Sequence, residues 1–154
     1  MKMIIDADAA PKKVIEICKV AASAFSVQLV TVASFNHLID SDCHLMVSDE
    51  PQATDIRVAN LTEQGDLVIT QDWGLAAVAL SRGAVVLTPK GKVFQNDEIT
   101  FLLENRETMF KVRRSGKRVK GPKKRKRSDD ERFEKNLYKC LRKLVGKEEL
   151  DGLP

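Results

Sequence analysis

Aromatic side chains are scarce, at 5% of the 154 residues. A core sized for such a chain must therefore be built mainly from Val, Ile, Leu and Ala. Cysteine is equally sparse. Cys18, Cys43 and Cys140 are odd in number, far apart and without CxxC spacing, which argues against a disulfide framework or zinc ribbon and for reduced thiols. No apolar run approaches the length of a membrane span, and Asp6 and Asp8 interrupt the start where a signal peptide would stay apolar. The expectation is a soluble, cytoplasmic protein with no membrane contact. Acid is missing from one stretch. Between Lys111 and Arg127 stand eleven Lys and Arg and no Asp or Glu. Taking those eleven from the net charge of +4 leaves the rest of the chain at −7. A basic arm on an acidic body points to a polyanionic partner.

Apolar runs alternate with helical periodicity. Lys2–Ile5, ending in Asp6, reads as a first strand, and Pro11 opens a helix that places Val14, Ile17, Cys18, Ala21, Ala22 and Phe25 on one face. Val27–Ala33 is a β-branched second strand and His44–Val47 a third. A helix from Pro51 turns Ile56 and Ala59 inward and stops near Gly65. Leu67–Thr70 is a fourth strand, Trp73–Leu80 a helix, Ala84–Leu87 a fifth strand and Ile99–Val112 a helix. Gly116, Gly121 and Pro122 break the basic stretch. A last amphipathic helix spans 129–145, with Phe133, Leu137, Cys140, Leu141 and Leu144 on one face. Strands apolar throughout and alternating with helices predict a three-layer α/β/α architecture with a mainly parallel sheet of about five strands. The organisation expected is an α/β domain over 1–114, a flexible basic linker over 115–128, and a C-terminal helix over 129–154 that packs on the domain or on a second subunit, so a homodimer is open.

In an open parallel sheet, sites form outside the carboxyl ends of the strands. Asp6 and Asp8 follow the first strand, two residues apart and so directed alike. Asp72 follows the fourth strand, and Asp55 lies in the opening turns of the helix after the third. Four acids from separate segments thus converge on one edge. Carboxylates so placed repel unless a cation sits among them, and hard oxygen donors suit Mg²⁺ or Mn²⁺. Plainer roles stand beside this one: Asp72 as a helix cap, Asp55 as a first-turn acid favoured by the helix dipole, Asp6 and Asp8 as solvated turn residues. Asp66 opens the fourth strand and belongs to the opposite edge, with a structural role. Asp40, Asp42, Asp49 and Glu50 read as solvated loop acids, and His37 and His44 as surface or packing residues. The basic arm offers Lys117, Arg118, Lys123, Lys124, Arg125, Lys126 and Arg127 to phosphates without sequence choice. It has no interleaved aromatics for base stacking.

Asp6-Ala7-Asp8-Ala9-Ala10-Pro11, Gly65-Asp66-Leu67-Val68-Ile69-Thr70-Gln71-Asp72 and Leu75-Ala76 resemble the YaiI/YqxD family of uncharacterised bacterial proteins, as do Pro89-Lys90-Gly91, Arg106, Arg113, Gly116, Gly121-Pro122 and Arg132-Phe133. That family looks like a branch of the PIN/NYN-like nuclease fold. The resemblance implies a parallel sheet with a central acidic cluster binding Mg²⁺ or Mn²⁺, carried onto Asp6, Asp8, Asp55 and Asp72. Ala10 stands where the family usually has Cys, which argues against an essential thiol there.

Three functions follow as expectations. The first is a divalent-metal-dependent nuclease acting on RNA more readily than DNA, with Asp6, Asp72 and Asp55 on one ion, Asp8 on a second ion or a water, and Arg106, Arg113 and Arg114 on phosphate. The second is a non-catalytic nucleic-acid-binding, RNA-processing or ribosome-associated protein that works through the basic arm. The third is a phosphotransferase of haloacid-dehalogenase type, suggested by Asp6-x-Asp8 and Thr70 but lacking the later paired acids.

Overall fold

In the computed structural model, the described residues are 1–34, 39, 41–95, 98 and 124–146. Six strands form one sheet: β1 (Lys2–Asp6), β2 (Gln28–Ser34), β3 (Cys43–Val47), β4 (Leu67–Ile69), β5 (Val85–Leu87) and β6 (Val93–Phe94). Their order is β3-β2-β1-β4-β5-β6, with the first five parallel and β6 antiparallel to β5. Among the described residues four helices flank them: α1 (Lys12–Phe25), α2 (Ala53–Leu61), α3 (Trp73–Ser81) and α4 (Arg127–Val145).

Strand periodicity sorts the core into two halves. Met3, Ile5, Leu29, Leu67, Ile69 and Leu87 face one side and pack with α1 and α4. Ile4, Val30, Val32, Val68 and Val86 face the other and pack with α2 and α3. The expected three layers are therefore present, with a sixth strand at the edge. β6 is a two-residue return after the turn at Gly91, which the chain's apolar pattern does not announce.

All six residues expected on the inner face of α1 are buried. Pro11 is the cap residue of α1 rather than its first helical residue. In α2 the buried pair is Thr54 and Val58, and Ile56 is exposed. That corrects the expectation of Ile56 inward, since residues two apart on a helix face roughly opposite ways. α4 begins at Arg127, and its Phe133, Leu137 and Leu141 are buried in the same core half as α1. Each such side chain contributes about 1.5–3 kcal/mol. Phe25 and Tyr138 meet edge to face, with centroids 5.5 Å apart. Since β1 feeds α1 at the carboxyl edge, this contact at the far end of α1 shows α4 running from the carboxyl edge toward the amino edge.

Asp66 is structural, as expected. It is buried at the amino edge, accepts the Lys2 backbone N–H at 3.0 Å and pairs with Lys2 Nζ at 2.6 Å. Burial alone would lower the Lys2 ammonium, but Asp66 and Glu63 outweigh it and hold it above the ordinary value. Asp42 is exposed, as expected of a solvated loop acid, and its carboxylate also accepts the Leu29 N–H at 3.0 Å. His44 Nδ1 lies 2.8 Å from the buried Thr31 hydroxyl, a packing role. Burial pushes the thiols of Cys18 and Cys140 up, which leaves both protonated. Among the described residues no helix is long and apolar enough to cross a membrane. The helix expected over Ile99–Val112, and with it Asp40, His37, Arg106, Arg113, Arg114, Lys117, Arg118 and Lys123, lies outside the described residues.

Candidate acidic cleft at the carboxyl edge of the sheet

β1, β2 and β3 succeed one another outward, and β4 and β5 succeed one another in the opposite direction. The winding reverses between β1 and β4, where an open parallel sheet leaves a crevice. Ile4 faces the α2 and α3 side, so Asp6, two residues on, does too. Val68 faces the same side, and so does Thr70. The register pairs Ile5 with Ile69, which sets Asp6 next to Thr70. The Thr70 hydroxyl donates to Asp6 Oδ2 at 3.0 Å and accepts the Asp72 N–H at 3.0 Å. Asp6 and Thr70 are both buried.

Asp8 falls beside Ser34, because the β1–β2 register pairs Asp6 with Val32. Its carboxylate accepts the Ser34 N–H at 3.0 and 3.1 Å, the Ser34 hydroxyl at 3.2 Å and the Thr54 hydroxyl at 2.7 Å. Asp8 thus ties the end of β2 to the first turn of α2, where Asp55 follows Thr54. Asp72 caps α3, accepting the Leu75 N–H at 2.8 Å, so the plainer role for this residue holds. A cap leaves a carboxylate with a second oxygen, and a metal role is compatible with it.

An open cleft of about 480 Å³ is lined by Asp6, Asp8, Asp55, Asp72, Gln71 and Thr54 among others. The structure therefore brings all four sequence-chosen acids to one place. Burial pushes the Asp6 carboxyl up to about 6, and the charge of Asp55 adds to that push. The Thr70 hydroxyl pulls the other way, and Asp72 and Asp8 raise it further. Asp55, weakly matched to the family motif, is the acid that acts on Asp6 most strongly.

The donors are hard oxygens, suited to Mg²⁺ or Mn²⁺. Yet among the described residues no three His, Cys, Asp or Glu side chains form a ligand set for one ion. An ion here would take one or two carboxylates and fill its shell with water and substrate oxygens, a habit of Mg²⁺.

Sequence reasoning missed Ser34 and Thr54, whose hydroxyls fix Asp8. Asp49 and Glu50, read as solvated loop acids near the carboxyl end of the third strand, are exposed and also line the cleft. Of the basic residues, Arg125 and Arg127 are engaged elsewhere. Arg125 pairs with Asp130 at 2.7 Å and donates to the Pro89 carbonyl at 2.8 Å, and Arg127 lies 3.6 Å from Glu131. Lys124 and Lys126 are exposed.

An open α/β sheet with an acid-lined cleft at its winding reversal defines the class of protein. The particular family is also settled: the chain belongs to the family described as "Uncharacterized BCR, YaiI/YqxD family", whose model matches residues 4–143. It is similar to a UPF0178 protein of Heliobacterium modesticaldum, 46% identical over 95% of this chain and 100% of that one. It is also similar to a UPF0178 protein of Clostridium perfringens, 40% identical over 94% of this chain and 97% of that one, and to one of Bacillus cereus, 39% identical over 92% and 98%. No solved structure matches the chain significantly.

Proposed function

We propose that this protein hydrolyses phosphodiester bonds in RNA or DNA, with a divalent cation held at the acidic cleft. The observation that carries the reading is the lining of one open cleft by Asp6, Asp8, Asp55 and Asp72, with burial and the charge of Asp55 raising the Asp6 carboxyl to about 6. Carboxylates kept this close are costly unless a cation shares them. The PIN/NYN-like nuclease fold belongs to the same reading. It is supported by the parallel sheet and by the cleft at the reversal between β1 and β4.

Asp6 and Asp55 would hold the ion, with Asp72, engaged in its capping bond, reaching it through a bound water. Such an ion, when bound, lowers the pKa of a water and neutralises charge on the phosphate. Thr70 keeps the Asp6 carboxylate in one orientation. Asp8 acts as a positioning residue, fixing the turn that carries Asp55, which revises its expected role as a ligand of a second ion. The test is cleavage of labelled single-stranded RNA and DNA in Mn²⁺. Wild type is expected to turn over, and Asp6→Asn to lose about a hundredfold or more. Equal cleavage by both would refute the reading.

A second reading has its own support. Asp8 and Asp72 already serve local hydrogen bonds, and no three-carboxylate ligand set is present among the described residues. Nucleic-acid binding with steep salt dependence and no turnover in either Mg²⁺ or Mn²⁺ would favour a non-catalytic role, as in RNA processing.

A further inference from the structure

The turn after β5 and the start of α4 are fastened together. Three consecutive carbonyls of that turn each accept from a side chain of the α4 segment. Arg125 donates to Pro89 O at 2.8 Å, Arg132 to Lys90 O at 3.5 Å, and Asn136 to Gly91 O at 2.5 Å. Gly91 has φ of +93°, and a Cβ there would lie 2.9 Å from the backbone of Arg132 and Phe133. Helix and turn touch at van der Waals limits, so the start of α4 is fixed in place.

This fastening gathers cations. Arg125, Arg127 and Arg132 are matched by Asp130, Glu131 and Asp129. The Asp129 carboxyl is held low, first by the Lys126 N–H and then by the charges of Arg132, Lys90 and Arg125, so Lys90 stands within reach of this end of α4. Lys90, Lys124 and Lys126 are exposed, and among the described residues no acid forms an ion pair with them. The fastening therefore leaves three exposed ammonium groups, none in an ion pair with a described acid, at one end of the molecule.

That end is the carboxyl edge of the sheet. β5 runs parallel to β4 with Ile69 beside Leu87, and the Thr70 N–H donates to Leu87 O at 3.2 Å. Pro89 and Lys90 therefore leave β5 at the same edge of the sheet at which Gln71 and Asp72 leave β4. α4, into which Lys124 and Lys126 lead, packs on the α1 side of the sheet, and the acidic cleft opens on the α2 and α3 side. A polyanion touching both must bend across the sheet edge within a few nucleotides. A flexible single strand does so at little cost, whereas a duplex is stiff over about 150 base pairs.

We propose that Lys90, Lys124 and Lys126 form a cationic rim that takes the phosphates of a single-stranded nucleic acid and leads it over the sheet edge to the acidic cleft. The destination rests on the reading of the cleft as a phosphodiesterase site, and the binding does not. The rim replaces the fully basic arm inferred from sequence at two points: Arg125 is a fastener, and Lys90 joins from a distant turn.

Anisotropy of fluorescein-labelled single-stranded RNA in EDTA tests it, over a range of salt. The variant Lys90→Glu/Lys124→Glu/Lys126→Glu is compared with Lys135→Glu/Lys139→Glu/Lys143→Glu. The second set changes the charge equally on the exposed, amino-edge stretch of the same helix. The rim variant is expected to raise Kd about tenfold or more and to flatten the slope of log K against log salt by about 2, from three phosphate contacts at about 0.7 each. The control is expected to stay within about threefold. Equal loss in both sets, or no loss in the rim variant, overturns the rim. So does tighter binding to phosphatidylserine vesicles or to a duplex than to the single strand. Loss confined to the rim variant, with no Mn²⁺-dependent cleavage by wild type, supports the rim and refutes only the catalytic reading.

Discussion

The Thr70 hydroxyl donates to Asp6 Oδ2 at 3.0 Å and accepts the Asp72 N–H at the same distance. One buried side chain thereby joins the end of β1, the end of β4 and the cap of α3. Thr70→Val keeps the β-branched shape and deletes that link. It is expected to destabilise the fold by about 1–2 kcal/mol. It also removes the group that pulls the Asp6 carboxyl down, so Asp6 should titrate above about 6. Carbon-detected NMR titration of the Asp carboxyls checks this, and an unmoved Asp6 would contradict the role given to Thr70.

Asp6 links pH to stability. Its carboxyl is raised from 3.8 to about 6. Between those values the native protein binds more protons than the unfolded chain, so this group makes stability fall as pH rises through the window. The loss above pH 7 is about 3 kcal/mol at most. Asp6→Asn should therefore be more stable than wild type at pH 7.5, by about 1–3 kcal/mol, and nearly equal to it near pH 4. Urea denaturation at the two pH values reads the difference. A variant less stable at pH 7.5 would mean that Asp6 is not under the strain described.

Asp72 has two roles that substitution can separate. Asp72→Ala should cost about 1 kcal/mol through loss of the α3 cap. Asp72→Ser retains an N-cap acceptor and should recover most of that stability. Neither variant should recover wild-type cleavage. Full activity in Asp72→Ser would confine Asp72 to capping.

Gly91→Ala tests the fastening of the β5 turn to α4. Positive φ and the 2.9 Å approach to Arg132 and Phe133 leave no room for a methyl group. A cost of about 2–4 kcal/mol is expected from strain and displacement of the helix, measured by thermal unfolding. A change under about 0.5 kcal/mol would show the contact to be loose.

Much of this site was legible because strands apolar throughout must lie in a parallel sheet, whose carboxyl ends share one edge. That placed Asp6, Asp8, Asp55 and Asp72 together before any coordinates. The partners were not legible. Asp8 is held by Ser34 only because β1 pairs with β2 in one register, and Thr54 reaches it only because α2 starts there. Ile56 was assigned to the wrong face because a nine-residue helix offers too few apolar positions to fix its phase. Arg125 looked like its basic neighbours until the fold set Pro89 and Asp130 beside it.

The most direct measurement is the uptake of Mn²⁺, followed by loss of the free-ion electron paramagnetic resonance signal at pH 7.5, with and without single-stranded RNA carrying cleavage-resistant phosphorothioate linkages. Wild type should bind weakly alone and more tightly with the oligonucleotide, because water and phosphate complete the shell around Asp6 and Asp55. Asp6→Asn should take up little in either case. Equal uptake by the two proteins would contradict a cation shared by the carboxylates of this cleft.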